Sequence, residues 1–332
     1  MESIAATQQI RQYATALLER DFELTQAEQI LKEIHGIFYQ LTNISGYDLE
    51  MKHLAAVPTS RGMALSLNYA AQCLLDYKRT VFFLKGMVAA IRQKQQEHPN
   101  EIIRIFYAGC GPYAPFASLI APLFKPTELQ FTLLEINSDS LASTQRLIEG
   151  LNLSDYIQNY HQADAVTFKV PNAESYHILF SETLDALLYR ESYVPILGNM
   201  LPQFPSNITV LPNNVILSLT LWMKEENNEE TAFEAHHLGP ILDVRHSLSE
   251  FANTPGLPTQ FPIIAFSLSS KNNYKSLVID TRVDIHANYT LQPGDSSLTI
   301  PYELALSNPI NRERVEFSYH LMPQVELKCE FK

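Results

Sequence analysis

Two glutamates nine residues apart, Glu182 and Glu191, frame the segment Ser181-Glu-Thr-Leu-Asp-Ala-Leu-Leu-Tyr-Arg-Glu-Ser192. Apolar Leu184, Leu187 and Leu188 lie between them, with Asp185 as a third acid. A loop or tight helical turn through this stretch would bring both carboxylates to one pocket. Two facing carboxylates match a guanidinium, whose planar fork donates bidentate pairs. A carboxylate can also take a proton from a reacting nitrogen. Read alone, the segment is equally consistent with two solvated surface acids.

The second candidate is a turn. The chain has only 11 glycines, and Gly109 and Gly111 are its one close pair. They follow an apolar run and precede a helical pattern. Glycine lets backbone approach a ligand, and a helix N-terminus adds partial positive charge. Glu135 ends the next apolar run, 24 residues after Gly111. An acid there can accept both hydroxyls of a ribose. The third glycine of a dinucleotide fingerprint is replaced by Tyr113. That favours a methyl donor over a dinucleotide, because its carboxypropyl tail needs less bare backbone than a pyrophosphate. Asp164 follows a third apolar run, where it or its neighbours would hold an adenine amino group.

The elements that must position these residues follow from periodicity. Residues 4–19, 25–41 and 68–95 have helical spacing, with Thr25 and Glu28 as a capping box on the second. The first hundred residues therefore read as all-helical. Residues 102–107, 130–135, 156–160 and 176–181 read as strands. Residues 116–123 and 138–151 read as helices, the latter capped by Ser138 or Asp139. This alternation predicts a doubly wound parallel sheet with its ligand at the carboxyl ends of the strands. Residues 208–211, 215–223, 263–268, 276–285, 297–305, 314–321 and 325–331 read as antiparallel β, a barrel or sandwich. The expected class is α/β plus β: a helical region over 1–100, a Rossmann-like cofactor domain over 101–200 and a β substrate domain over 201–332.

Composition narrows the partners. There are 24 Lys and Arg against 36 Asp and Glu, a formal charge of −12. That argues against nucleic acid held by bulk charge and is compatible with a cationic substrate. Three widely spaced cysteines and no CxxC predict free thiols in a reducing compartment, and hence a cytoplasmic protein. The charged first residues do not read as a signal peptide, and no run of 18 apolar residues predicts a membrane span. His236, His237 and His246 read as a solvated loop rather than a metal site, and His35, His53, His161 and His177 as core or surface residues.

The order of these motifs resembles the protein arginine methyltransferases. Ser-Glu and Glu-Ser at this spacing resemble that family's double-glutamate loop. Asp76-Tyr-Lys-Arg79-Thr80 resembles its Asp-x-x-Arg-Thr helix start. Residues 208–215 and 294–321 resemble strands of its barrel. The resemblance spans about residues 66–332. It implies S-adenosylmethionine as cofactor, with Arg79 on its carboxylate and Gly109, Gly111, Glu135 and Asp164 along it. Tyr107 stands where the family has an acid before the glycine turn. It implies Glu182 and Glu191 as the catalytic pair, with Asp185 also facing substrate. The family's Thr-His-Trp loop is matched most nearly by Asn272-Asn273-Tyr274, which makes Tyr274 a substrate contact. The expected activity is methyl transfer to a guanidino or amino nitrogen of a cationic small molecule, amino acid or peptide. The alternative is an inactive, methyltransferase-shaped binding module. A nicotinamide oxidoreductase fits less well, and a homodimer is the oligomer that the resemblance implies.

Overall fold

The structure is a computed structural model. It describes residues 3–19, 24–224, 233–252, 254, 256–268, 274–306 and 313–332. Helices α1 (Ser3–Leu17) and α2 (Leu24–Thr42) come first. Ala6, Ile10, Ala14 and Leu17 form one buried stripe on α1, and Ala27, Leu31, Ile34 and Phe38 another on α2. Thr25 lies inside the first turn of α2 rather than capping it. The residues ahead of that turn, 20–23, are outside the described ones.

After α3 (Met51–Leu54) the all-helical expectation fails. β1 (Val57–Thr59) and β2 (Gly62–Ala64) form an antiparallel hairpin in which Thr59 pairs with Gly62. Strands of three residues are too short for alternation to show as a period. Gly62, at φ +122°, is the only glycine near the turn. α4 (Leu67–Gln72) and α5 (Tyr77–Glu97) follow. Ser66 caps α4 and Asp76 caps α5, each accepting from a backbone N–H three residues on.

The parallel sheet contains β3 (Ile103–Ala108), β4 (Leu129–Glu135), β5 (Ile157–Gln162), β6 (Ile178–Ser181) and β7 (Thr209–Leu211). Its spatial order is β5-β4-β3-β6-β7 and every pair is parallel. The run Ile105-Phe-Tyr-Ala108 is buried throughout, as a strand covered on both faces must be. The short helix α6 (Pro115–Ser118) and the longer α7 (Ser138–Gly150) and α8 (Tyr193–Met200) connect the strands. Three local expectations change. The helix read over 116–123 ends after one turn, with a separate 3-10 turn at Ala121–Leu123 that contains Pro122, which has no N–H to offer a helix. The cap of α7 is Asn137, whose Oδ1 accepts from Asp139 and Ser140 N–H. Residues 209–211, expected in the β half, are instead the edge strand beside β6; their β pattern says strand but not which sheet.

The C-terminal half holds β8 (Asn214–Lys224), β9 (Phe233–Asp243), α9 (Val244–Ser249), β10 (Ile264–Ser267), β11 (Tyr274–His286), β12 (Tyr289–Leu291), β13 (Tyr302–Ala305), β14 (Arg314–His320) and β15 (Glu326–Phe331). Among the described residues these make two antiparallel sheets. One runs β12-β11-β8-β9 with β13 also on β11, and the other runs β10-β14-β15. His236 and His237 are exposed residues of β9, not loop residues. The strand read over 297–305 is a 3-10 turn at Ser297–Thr299 and a strand only from Tyr302, with Pro301 between. α5 joins the two halves. A Cβ on Gly86 would lie 2.6 Å from Ile285 Cγ2, so only a glycine lets the helix sit this close to β11. Asp76 accepts from Ser297 N–H at 2.8 Å and its hydroxyl at 2.6 Å.

The N-terminal helices dock on the cofactor-type turn. Tyr113, at the place of the missing third glycine, is buried and donates to Ile44 O. Its ring meets Phe38 and His35, with centroids 5.3 Å and 5.9 Å away. Bulk at position 113 thus serves packing. Among the described residues no helix is long and apolar enough to cross a membrane.

Candidate active site

Register brings three segments out of the parallel sheet at one level. Ala108 pairs with Leu134 on one side and Ser181 on the other. The next residues are Gly109, Glu135 and Glu182. The glycine turn and two acids therefore leave the carboxyl edge side by side, at the strand where the order reverses.

Gly109 and Gly111 have φ of +73° and +66°. A Cβ on Gly109 would lie 2.2 Å from Thr183 Cγ2. Conformation and contact both demand glycine. Gly109→Ala is expected to destabilise the chain by about 1–3 kcal/mol, read as a lower urea midpoint. An unchanged midpoint would mean that Thr183 does not pack there. Glu135 is buried and accepts from Gly111 N–H at 2.8 Å and Asn137 N–H at 2.9 Å. Burial pushes its carboxyl up, and these N–H groups partly offset that.

The loop after β6 turns back on itself. Asp185 accepts from the N–H of Arg190 at 2.9 Å and of Glu191 at 3.3 Å. Leu187 and Leu188 adopt left-handed φ of +62° and +53°, which bulky residues rarely take. Such strain persists only where surrounding contacts impose it. Leu188 is buried, and its carbonyl accepts from the Tyr319 hydroxyl on β14 at 2.7 Å. The reversal returns Glu191 to the cavity that Glu182 also lines. Asp185, expected to face substrate, is not among the lining residues, because its carboxylate is taken up by the loop's own amides.

Arg79 reaches the cavity from the first turn of α5. Its Nη2 donates to Glu182 Oε2, while Nε contacts Oε1 as an ion pair off the hydrogen-bond direction. Both side chains are buried. Burial raises the Glu182 carboxyl, and Arg79 pulls it back. Glu191 is also buried, but Arg79 acts on it only through space. Burial pushes its carboxyl well above the usual range, and Asp185 adds to the rise. The two glutamates thus differ: Glu182 is paired with a guanidinium, and Glu191, without such a pair, has its carboxyl pushed well above the usual range.

The β1–β2 hairpin roofs the site. Met63 N–H donates to Arg190 O at 3.0 Å, and Met63 bridges to Glu191. The Thr59 and Ser192 hydroxyls are 2.7 Å apart, and Ser192 donates to Arg61 O at 3.1 Å. Asp164 holds the hairpin turn, accepting from Ser60 N–H at 2.7 Å and its hydroxyl at 2.6 Å. A Cβ on Gly62 would meet Arg190 O and Ser192 Oγ at 2.8 Å, so the roof fits tightly.

Arg79, Tyr107, Gly109, Gly111, Glu135, Asp164, Glu182 and Glu191 line one cavity of about 90 Å³. Thr59, Met63, Cys73 and Thr183 are among its other lining residues and were not legible as site residues. Tyr107 is buried, which pushes its phenol up. Tyr274 begins β11; its side chain, like Asn272 and Asn273, lies outside the described residues. The three cysteines are free thiols. Away from the cavity, His98, Glu101 and His177 cluster at metal-ligand range. His177 Nδ1 accepts from Arg104 N–H at 3.1 Å, which places the ring proton on Nε2, toward Glu101, and leaves that nitrogen no lone pair for an ion.

No protein-family model matches the chain, and no curated protein matches it. Among solved structures it is similar to the Trypanosoma brucei PRMT1 enzyme–prozyme heterotetrameric complex with AdoHcy. The two share 11% identity over 78% of this chain and 92% of that one, with a TM-score of 0.47.

Proposed function

We propose that the chain is an S-adenosylmethionine-dependent methyltransferase acting on a nitrogen of a cationic acceptor, a guanidino or amino group. The observation that carries this reading is the convergence of Gly109, Glu135, Glu182, Glu191 and Arg79 on one cavity at the reversal point of the parallel sheet.

The residues fit the cofactor. A left-handed glycine turn, a buried acid ending the next strand and a buried arginine are the donor and acceptor set that its amino-acid tail and ribose require. Arg79 would pair with the cofactor carboxylate through the N–H groups that Glu182 leaves open, Glu135 would accept the ribose hydroxyls and Asp164 would border the adenine. When bound, the cofactor supplies a methyl group already activated on a sulfonium. The chain then contributes alignment and a proton acceptor. Glu182, held by Arg79, orients the acceptor nitrogen. Glu191, the carboxylate with the higher proton affinity, takes its proton. A cationic acceptor matches a pocket where the carboxylates outnumber the single guanidinium. The cavity is smaller than the roughly 300–1,000 Å³ of a ligand pocket. The roof is a two-stranded hairpin with strands of three residues, so ligand access is expected to shift β1–β2. Amide exchange of Met63 should then slow on cofactor binding; an unchanged rate would place access elsewhere.

The test is transfer of labelled methyl from S-adenosylmethionine to arginine- and lysine-containing peptides and to free arginine. Label on any of them supports the reading. One observation favours the second reading, a binding module without turnover: Arg79 is already engaged by Glu182. Binding of S-adenosylhomocysteine with no transfer to any of these acceptors would select it. A homodimer and a cytoplasmic location belong to the same proposal.

A further inference from the structure

A second cavity is larger than the one at the glutamates. It lies on the other side of α8 and of the turn after β5, with about 680 Å³ of space, within the range of small-molecule sites. Ile196 and Ala165 face the first cavity, while their neighbours Leu197 and Val166 face this one. Among the described residues its charged lining is Arg61, Lys169 and Arg245, with no Asp or Glu. That is unexpected in a chain with 36 acidic and 24 basic residues.

The polar groups of the wall divide into two sets. Asn199 and Gln203 are satisfied within the protein: Asn199 donates to Ala165 O and Phe168 O, both at 2.9 Å, and Gln203 to Phe168 O at 3.1 Å. The cations have no such partner in a carboxylate: among the described residues neither Arg61 nor Arg245 has an ion pair, and Lys169 is exposed. Two guanidiniums in an acid-free cavity want an oxyanion, which each can grip through two parallel N–H donors. Leu197, Leu248 and Phe251 supply an apolar wall beside it.

We infer that this cavity is a second binding site, for a small organic anion bearing a phosphate or carboxylate group. It does not depend on the methyl-transfer reading, because Arg61, Lys169 and Arg245 do not line the first cavity. The hairpin to which Arg61 belongs roofs the first cavity, so an anion on Arg61 would also steady the roof.

The experiment is calorimetric titration of the full chain with inorganic phosphate and, separately, with succinate. Saturable binding of phosphate alone assigns a phosphate group, of succinate alone a carboxylate, and of both an oxyanion in general. Arg245→Gln and Arg61→Gln should each weaken the binding about tenfold or more. Lys169→Gln, at an exposed position that does not threaten folding, should weaken it measurably even where the arginine variants do not fold. Failure of both probes to bind, or binding that all three variants leave unchanged, overturns the inference. Neither outcome touches the labelled-methyl test.

Discussion

Glu191→Gln is expected to lower the rate of methyl transfer by about 10²–10⁴-fold, with S-adenosylhomocysteine affinity retained. Glutamine keeps the size of the side chain and its buried place but cannot take a proton. The wild-type rate should rise with pH through the elevated value of Glu191, because only the ionised form is a base. That limb should be missing from the residual activity of the variant. Turnover within about tenfold of wild type would remove Glu191 from the mechanism.

The same residue carries a stability signature of definite sign. Its folded-state value lies above its value in the unfolded chain. Its contribution is fully present below the ordinary carboxylate range and is lost as pH rises through the folded-state value. Glu191→Gln removes that loss. The variant should therefore melt with the wild type at acid pH and above it once the pH exceeds the folded-state value. Glu135 is also raised by burial and adds to the loss in the same direction.

The second large effect concerns Glu182. Glu182→Gln leaves the Arg79 guanidinium buried without its carboxylate, which is expected to destabilise the chain by about 3–5 kcal/mol. Replacing both partners, as Arg79→Met with Glu182→Leu, should recover most of that loss, because it removes the isolated charge. Urea unfolding of the three proteins measures the difference. A single-variant loss below about 1 kcal/mol, typical of an exposed pair, would mean that the ion pair is solvated. Glu182 and Glu191 thus predict different phenotypes. The first should lose stability and activity together, and the second activity alone.

The site was legible where chemistry follows directly from a strand end. Gly109, Glu135 and Glu182 each come immediately after a strand, and apolar runs reveal strands even when their boundaries slip by one or two residues. Arg79 was legible through the helix start that precedes it. The conformation of the loop was not. Its reversal depends on two left-handed leucines, Leu187 and Leu188, held by a hydroxyl from β14, and no local propensity encodes that. The β1–β2 roof was missed because its strands are three residues long. The backbone partners of Asp185 were not legible either, because a carboxylate in a loop can face a ligand or its own backbone, and only the fold decides which. The basic cavity was invisible for another reason: residues 61, 169 and 245 are far apart in a chain whose overall charge is −12.

The central claim is that the cavity at the glycine turn holds the methyl donor. Calorimetry of S-adenosylhomocysteine against the full chain and against Glu135→Gln tests it most directly. One saturable site is expected on the wild-type chain, weakened about tenfold or more in the variant, which loses a charged acceptor for the ribose hydroxyls. No heat and no thermal shift with the wild type would contradict the assignment.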